Sequence, residues 1–180
     1  MRSERGAEML LKSLDDILSG GADLSIGKRW IAKVREASTT IKSFGKASDE
    51  ELLSLHGTIL RKLSRWMERS ADKNELGAFF VIVAKEYCAQ GVPLSELTFA
   101  LMLDRKTVTE HIAEGVVLEG AFQIYALMEA VNMVSDFYFL GMHYMTKGYL
   151  EETFLRFRVG EDIPVEVLTK YFPDNFFFKA

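Results

Sequence analysis

Three histidines and one cysteine bound the chemistry that this 180-residue chain can carry. His56, His111, His143 and Cys88 do not fall at zinc-site or zincin spacings, and there is neither a nucleophile elbow nor a phosphate-cradling glycine loop. Carboxylate pairs such as Asp15-Asp16 and Glu151-Glu152 are adjacent on helical stretches, so their side chains diverge. The sequence therefore predicts no catalytic residue and no metal site.

What remains is a set of polar groups on apolar helix faces. At about 100° per residue, His56 falls near the centre of the arc formed by Leu52, Ile59, Leu60, Leu63, Trp66 and Met67. Tyr87 lies in the middle of an arc with Leu76, Phe79, Phe80 and Val83. Arg105 sits inside the arc of Leu94, Leu97, Leu101, Val108 and Ile112. A guanidinium there needs an acid such as Glu86 or Glu114, or a bound anion, because an unpaired buried charge is very costly. His56, Phe80, Tyr87 and Arg105 are thus the expected ligand-facing residues. The competing expectation is a hydrogen-bonded core histidine, a core tyrosine and an internal salt bridge. His111 and His143 read as surface or interface residues, and Cys88 as a small core residue.

The elements that position these groups are helices almost throughout. An amphipathic stretch at about 7–18 ends at Gly20-Gly21, and a second from about Leu24 carries Ile26, Trp30, Val34, Ala37 and Ile41, with Gly45 closing the region. Ser48 followed by Glu51 is a capping box, and Asp72 with Glu75 an analogous start, giving helices over 49–69 and 73–90. Gly91 and Pro93 make a sharp break before a helix to about Val116. A last long helix covers roughly 118–157. No strand or repeat is expected, so the predicted fold is all-α: about six helices in one domain, 1–160, with an aromatic tail over 161–180. A short helix over about 163–171 and Phe176, Phe177 and Phe178 belong to that tail.

Composition narrows the function classes. A net charge of −4 and a pI near 5.5 leave no footprint for nucleic acid or an anionic membrane. Basic clusters at Lys28, Arg29, Lys33, Arg35 and at Arg61, Lys62, Arg65, Arg69 read as solvated helix faces. Residues 116–146 lack lysine and arginine, but Glu119, Glu129 and Asp136 interrupt them, so no membrane span is expected. The single cysteine and the absence of a signal peptide point to a cytoplasmic protein. The run Leu103–Ile112 has a superficial likeness to a DNA-recognition helix, yet no turn precedes it.

The last helix carries Glu129, Asn132, Asp136, His143, Lys147 and Glu151 on one stripe and is apolar in most other directions. So wide an apolar arc needs more than one partner surface. A homodimer is expected, with Phe122, Tyr125, Met133 and Phe137 at its interface. Met128, Met133, Met142 and Met145 add an adaptable apolar surface.

Trp30 in Lys28-Arg29-Trp30, the Gly91-Val92-Pro93-Leu94 break before a helix containing Leu103-Asp104-Arg105, and Asn132 through Asp136 in a final aromatic helix together resemble the N-terminal sensory domains of RsbR-type proteins, the RsbT co-antagonists of bacterial stressosomes. The likeness spans roughly 24–150. It implies a globin-like helical bundle, dimerisation through the last two long helices and a non-enzymatic signalling role toward another protein. Haem-binding sensor globins have a histidine four residues before the glycine of this break; here that residue is Tyr87, so haem is not expected. The rival readings are a haem gas sensor using His56 or His111, or a helix-turn-helix regulator. Without haem, the cavity is expected to suit an apolar ligand such as a fatty acid, its acidic head at Arg105 or His56.

Overall fold

Capping residues and one glycine set the limits of the helices. A computed structural model describes residues 22–115 and 120–158, which form six helices and no strand: α1 (Ala22–Glu36), α2 (Lys42–Lys46), α3 (Asp49–Met67), α4 (Lys73–Ala89), α5 (Leu94–Gly115) and α6 (Ala121–Arg158). The all-α expectation holds. The helix expected at 7–18 and the aromatic tail lie outside the described residues, as do residues 116–119. No described helix is long and apolar enough to cross a membrane.

The local signals act as the sequence predicts. The Ser48 hydroxyl accepts from the Glu51 amide, and the Glu51 carboxylate accepts from the Ser48 amide, which closes the capping box of α3. Asp72 caps α4 through the Asn74 amide, while Glu75 turns away to Lys62 instead of closing a second box. After α4, Gly91 takes φ = 75°, the Val92 amide donates to the Tyr87 carbonyl and the Gly91 amide to that of Cys88. These two bonds make a Schellman motif, which glycine enters without steric cost. Gly45, expected as a break, lies within α2.

One core joins the helices. Val34, Ile41, Phe44, Leu63, Phe80, Val108, Val134 and Phe137 are all buried in it. Each tryptophan pins two helices by donating its indole N–H to a carbonyl: Trp30 of α1 to Ala100 of α5, and Trp66 of α3 to Met133 of α6, both at 3.1 Å. The basic residues of α1 are less solvated than expected. Arg29 makes a two-bond pair with Glu114, and Lys33 pairs with Glu110, so an ionic seam runs between α1 and α5. Hydrogen bonding to these cations holds both glutamates below the usual carboxylate range.

The closest packing is between α4 and α6. Gly141 receives the ring of Phe80, Gly77 receives the ring of Tyr144, and Gly148 lies against the backbone of Val81. A Cβ on Gly148 would stand 2.6 Å from the Val81 carbonyl oxygen, an atom that cannot rotate away. By contrast α3 and α4, consecutive in the chain, scarcely touch. They are bridged at one end by Lys62, which pairs with Glu75 at 3.0 Å and lies 5.0 Å from the centre of the Phe79 ring.

Gly148→Ala is therefore expected to lose about 1–3 kcal/mol, since overpacking outweighs the roughly 1 kcal/mol that alanine gains in a helix. Gly57→Ala is the contrasting control: its Cβ would meet only an Arg61 side-chain nitrogen at 3.5 Å, an ordinary contact. Urea denaturation should show a lower midpoint for the first variant and an equal or higher one for the second.

Candidate functional site

Two polar features stand out, one sealed inside the core and one open to solvent. The sealed one begins with His56 on α3, whose Nδ1 is 2.8 Å from Oδ1 of Asp104 on α5. Their side chains are 1% and 0% exposed, so the pair is withdrawn from water entirely. Tyr138 of α6 directs its hydroxyl at the same carboxylate, and the Trp30 indole stacks on the imidazole at 5.4 Å and 18°. Burial first, then the charge of Asp104, pushes the Tyr138 phenol well above its ordinary value. The 2.8 Å separation is ion-pair distance, but the angles fall short: neither imidazole nitrogen, neither Asp104 oxygen nor the Tyr138 hydroxyl closes a well-aligned hydrogen bond. The trio joins three helices, and the stacked Trp30 adds a fourth. Neither His56 nor Asp104 is among the residues lining the open feature.

The open feature is a groove of about 720 Å³ between α3 and α4, floored by α2. Phe44, Leu55, Phe79, Val83, Tyr87 and Val92 supply its apolar lining, and Glu50, Glu51 and Glu86 line it as well. Tyr87 and Phe44 are stacked, with ring centres 5.2 Å apart and planes at 21°. The tyrosine is held above its ordinary pKa chiefly by burial and then by the charges of Glu51 and Glu86, so its hydroxyl remains a protonated donor. Arg35 of α1 braces this wall: its guanidinium donates to the carbonyls of Phe44, Gly45 and Ala47 and pairs with Asp49. On the far side of the break, the Tyr149 hydroxyl donates to the Val92 carbonyl at 3.0 Å. The Schellman turn is thus fixed to α6.

The four residues expected to face one ligand occupy different surroundings. Tyr87 alone lines the groove. His56 belongs to the sealed trio, and Phe80 is buried between Phe79, Phe137 and Gly141. Arg105 is only half-buried; it donates to the Ser135 hydroxyl at 3.1 Å and lies 5.2 Å from the centre of the Phe139 ring. Neither expected acid reaches it, since Glu114 is taken by Arg29 and Glu86 lines the groove. The buried charge on α5 is Asp104, one position earlier. Ala100 and Thr107 are buried alongside Leu97, Leu101 and Val108, and including them re-centres the arc on Asp104. That correction was available from the wheel, because small residues line helix contacts as readily as large ones. Nothing in the sequence separates Tyr138 from the many other aromatic residues of the last helix.

The fatty-acid expectation loses its anchor here. Neither Arg105 nor His56 is among the groove-lining residues, which include three glutamates and no lysine or arginine. Histidine-ligated haem fits no better, because the groove lining contains no histidine and His56 is held against Asp104. The run Leu103–Ile112 lies within the unbroken α5, with Thr107 and Val108 in the core and Glu110 tied to α1, so no turn sets it off as a separate recognition helix.

The residues expected at a dimer interface also separate. Phe137 is fully buried in the core, and Met133 is packed partly against it, so Phe137 is excluded from any surface. Tyr125 is 72% exposed. The side chain of Phe122 lies outside the described residues. Ile124, Met128, Phe139, Phe154 and Leu155 are further large apolar side chains exposed on α6, and Phe99 and Met102 are exposed on α5.

Removing either member of the His56–Asp104 pair strands its partner in the core. His56→Leu and Asp104→Leu are each expected to cost about 3–5 kcal/mol, and the double variant much less than their sum. A urea double-mutant cycle reads this directly. Tyr138 adds a pH dependence. A phenol with a raised folded-state pKa contributes stability that is fully present below the unfolded value, near pH ~10, and is lost as pH rises from there toward the folded value. Alkaline unfolding followed by tyrosine absorbance should therefore move to higher pH in Tyr138→Phe. No family model matches the sequence, and neither does any curated protein or solved structure.

Proposed function

We propose that this chain is a non-enzymatic sensory domain of a bacterial stress or sporulation signalling system, of the RsbR-related kind that its sequence resembles. The observation that carries the reading is the groove beside Tyr87, whose volume of about 720 Å³ falls within the range of small-molecule sites. Its walls are helices otherwise fixed by the core, so an occupant that drew α3 and α4 together would be felt at α6, against which α4 packs closely. The sealing of the His56–Asp104 pair from solvent favours a binding role over turnover.

The signal would leave through a homodimer and a downstream protein partner. Tyr125, Met128 and Phe139 lie along one exposed stripe of α6, and Phe99 and Met102 extend the apolar surface onto α5. Pairing this face with a second copy would cover side chains that water solvates poorly. In this reading the protein is cytoplasmic, needs no haem and contacts neither nucleic acid nor membrane.

Sedimentation velocity is expected to give a dimer at tens of micromolar, and Tyr125→Glu combined with Phe139→Glu a monomer with unchanged helical circular dichroism. A monomeric parent protein would remove the dimer. Native mass spectrometry after gentle purification should find a small molecule retained by the parent and lost in Ser54→Trp, which fills the groove. Consistently bare protein that also fails to bind groove-sized probes would end the sensory reading.

A further inference from the structure

The groove is electrically lopsided. Its Tyr87 end gathers Glu50, Glu51 and Glu86, and no basic side chain lines it. Among the described residues neither Glu50 nor Glu86 forms an ion pair. Glu51 is held to Ser48 by the capping box, whose hydrogen bonds keep its carboxyl below the usual range and therefore charged. About two helical turns along, the other end is bounded by Phe79, whose ring already faces the Lys62 ammonium, itself paired with Glu75. Between the ends, Leu55 and Val83 leave an apolar trough.

Carboxylates without counter-charges beside the stacked rings of Phe44 and Tyr87 form a site suited to one class of ligand. We propose that the groove binds a small organic cation, an ammonium carried on an apolar body. The head would sit among Glu86, Glu50 and Glu51 beside the Phe44–Tyr87 pair, and the body would lie along Leu55 and Val83 toward Phe79. Aromatic faces attract ammonium groups through their quadrupole, and the surrounding carboxylates add a direct charge term. A carboxylate head would face three like charges at the same place. An uncharged molecule would use the trough and leave the acidic end without a partner. This inference rests on the reading of the groove as a ligand site and adds the ligand's charge and shape.

Three probes of nearly equal size separate the alternatives: phenethylammonium, phenethyl alcohol and hydrocinnamate, each titrated into the full chain and followed by amide chemical shifts. The expected result is movement of the Phe44, Tyr87 and Val92 amides, with the cation bound at least about tenfold more tightly than the anion and the alcohol between them. Glu50→Gln with Glu86→Gln should remove most of the cation's advantage, leave the alcohol's affinity unchanged and lower the urea midpoint only slightly, through the lost first-turn charge on α3. Ser54→Trp should abolish binding of all three. Equal or tighter binding of hydrocinnamate, with the same groove amides moving, would overturn the cation assignment while leaving the groove a ligand site. Shifts confined to residues outside the groove, or none at millimolar probe, would overturn both.

Discussion

A histidine–aspartate pair with no access to water governs the arrangement of this protein. His56 and Asp104 are buried almost completely, and a withdrawn carboxylate is tolerable only with a partner held beside it. That requirement sets α3 against α5 at one register. The stacked Trp30 adds α1, and the Tyr138 hydroxyl adds α6. Leucines and valines in the same positions could pack in several neighbouring arrangements, whereas a lone carboxylate discriminates strongly among them. The imperfect alignment of the trio is consistent with groups held by the packing of the helices around them.

The groove follows from how the remaining helices are tied. Glycines let α4 approach α6 to backbone contact, and the ionic seam and Trp30 hold α1 against α5. With α3 committed to His56–Asp104 and α4 to α6, the two consecutive helices diverge, and α2 forms the floor between them. Arg35 fixes that floor by donating to the backbone carbonyls of Phe44, Gly45 and Ala47. The acidic end is a by-product of a helix start: Glu50 and Glu51 sit in the first turn of α3, where negative charge is favoured by the helix dipole. The first turn of α3 thus shapes the helix and lends the groove its charge.

Much of this was legible in the residues. The Ser48–Glu51 box, the Asp72 cap and the Gly91-Val92-Pro93 break act within five or six residues of chain, so their chemistry is complete locally. The apolar arcs of α3 and α4 were readable for the same reason. Arg105 was misplaced because the arc on α5 was centred on its large residues, while Ala100 and Thr107 take part in the contact. The last helix resisted analysis on a wheel because its apolar residues face several helices at once; Phe137 went to the core and Phe139 to the surface although they are two positions apart.

By itself, then, the chain determined its helices, their caps and the inward direction of His56, all through interactions between near neighbours. Whether His56 met a ligand or a carboxylate was decided only when α5 delivered Asp104 from 48 positions away in sequence. The separation of α3 from α4, the gathering of Glu50, Glu51 and Glu86 around Tyr87, and the choice of which face of α6 stays exposed were likewise tertiary outcomes. Each depends on distances between helices, and a helical period encodes direction about one axis but not what stands opposite.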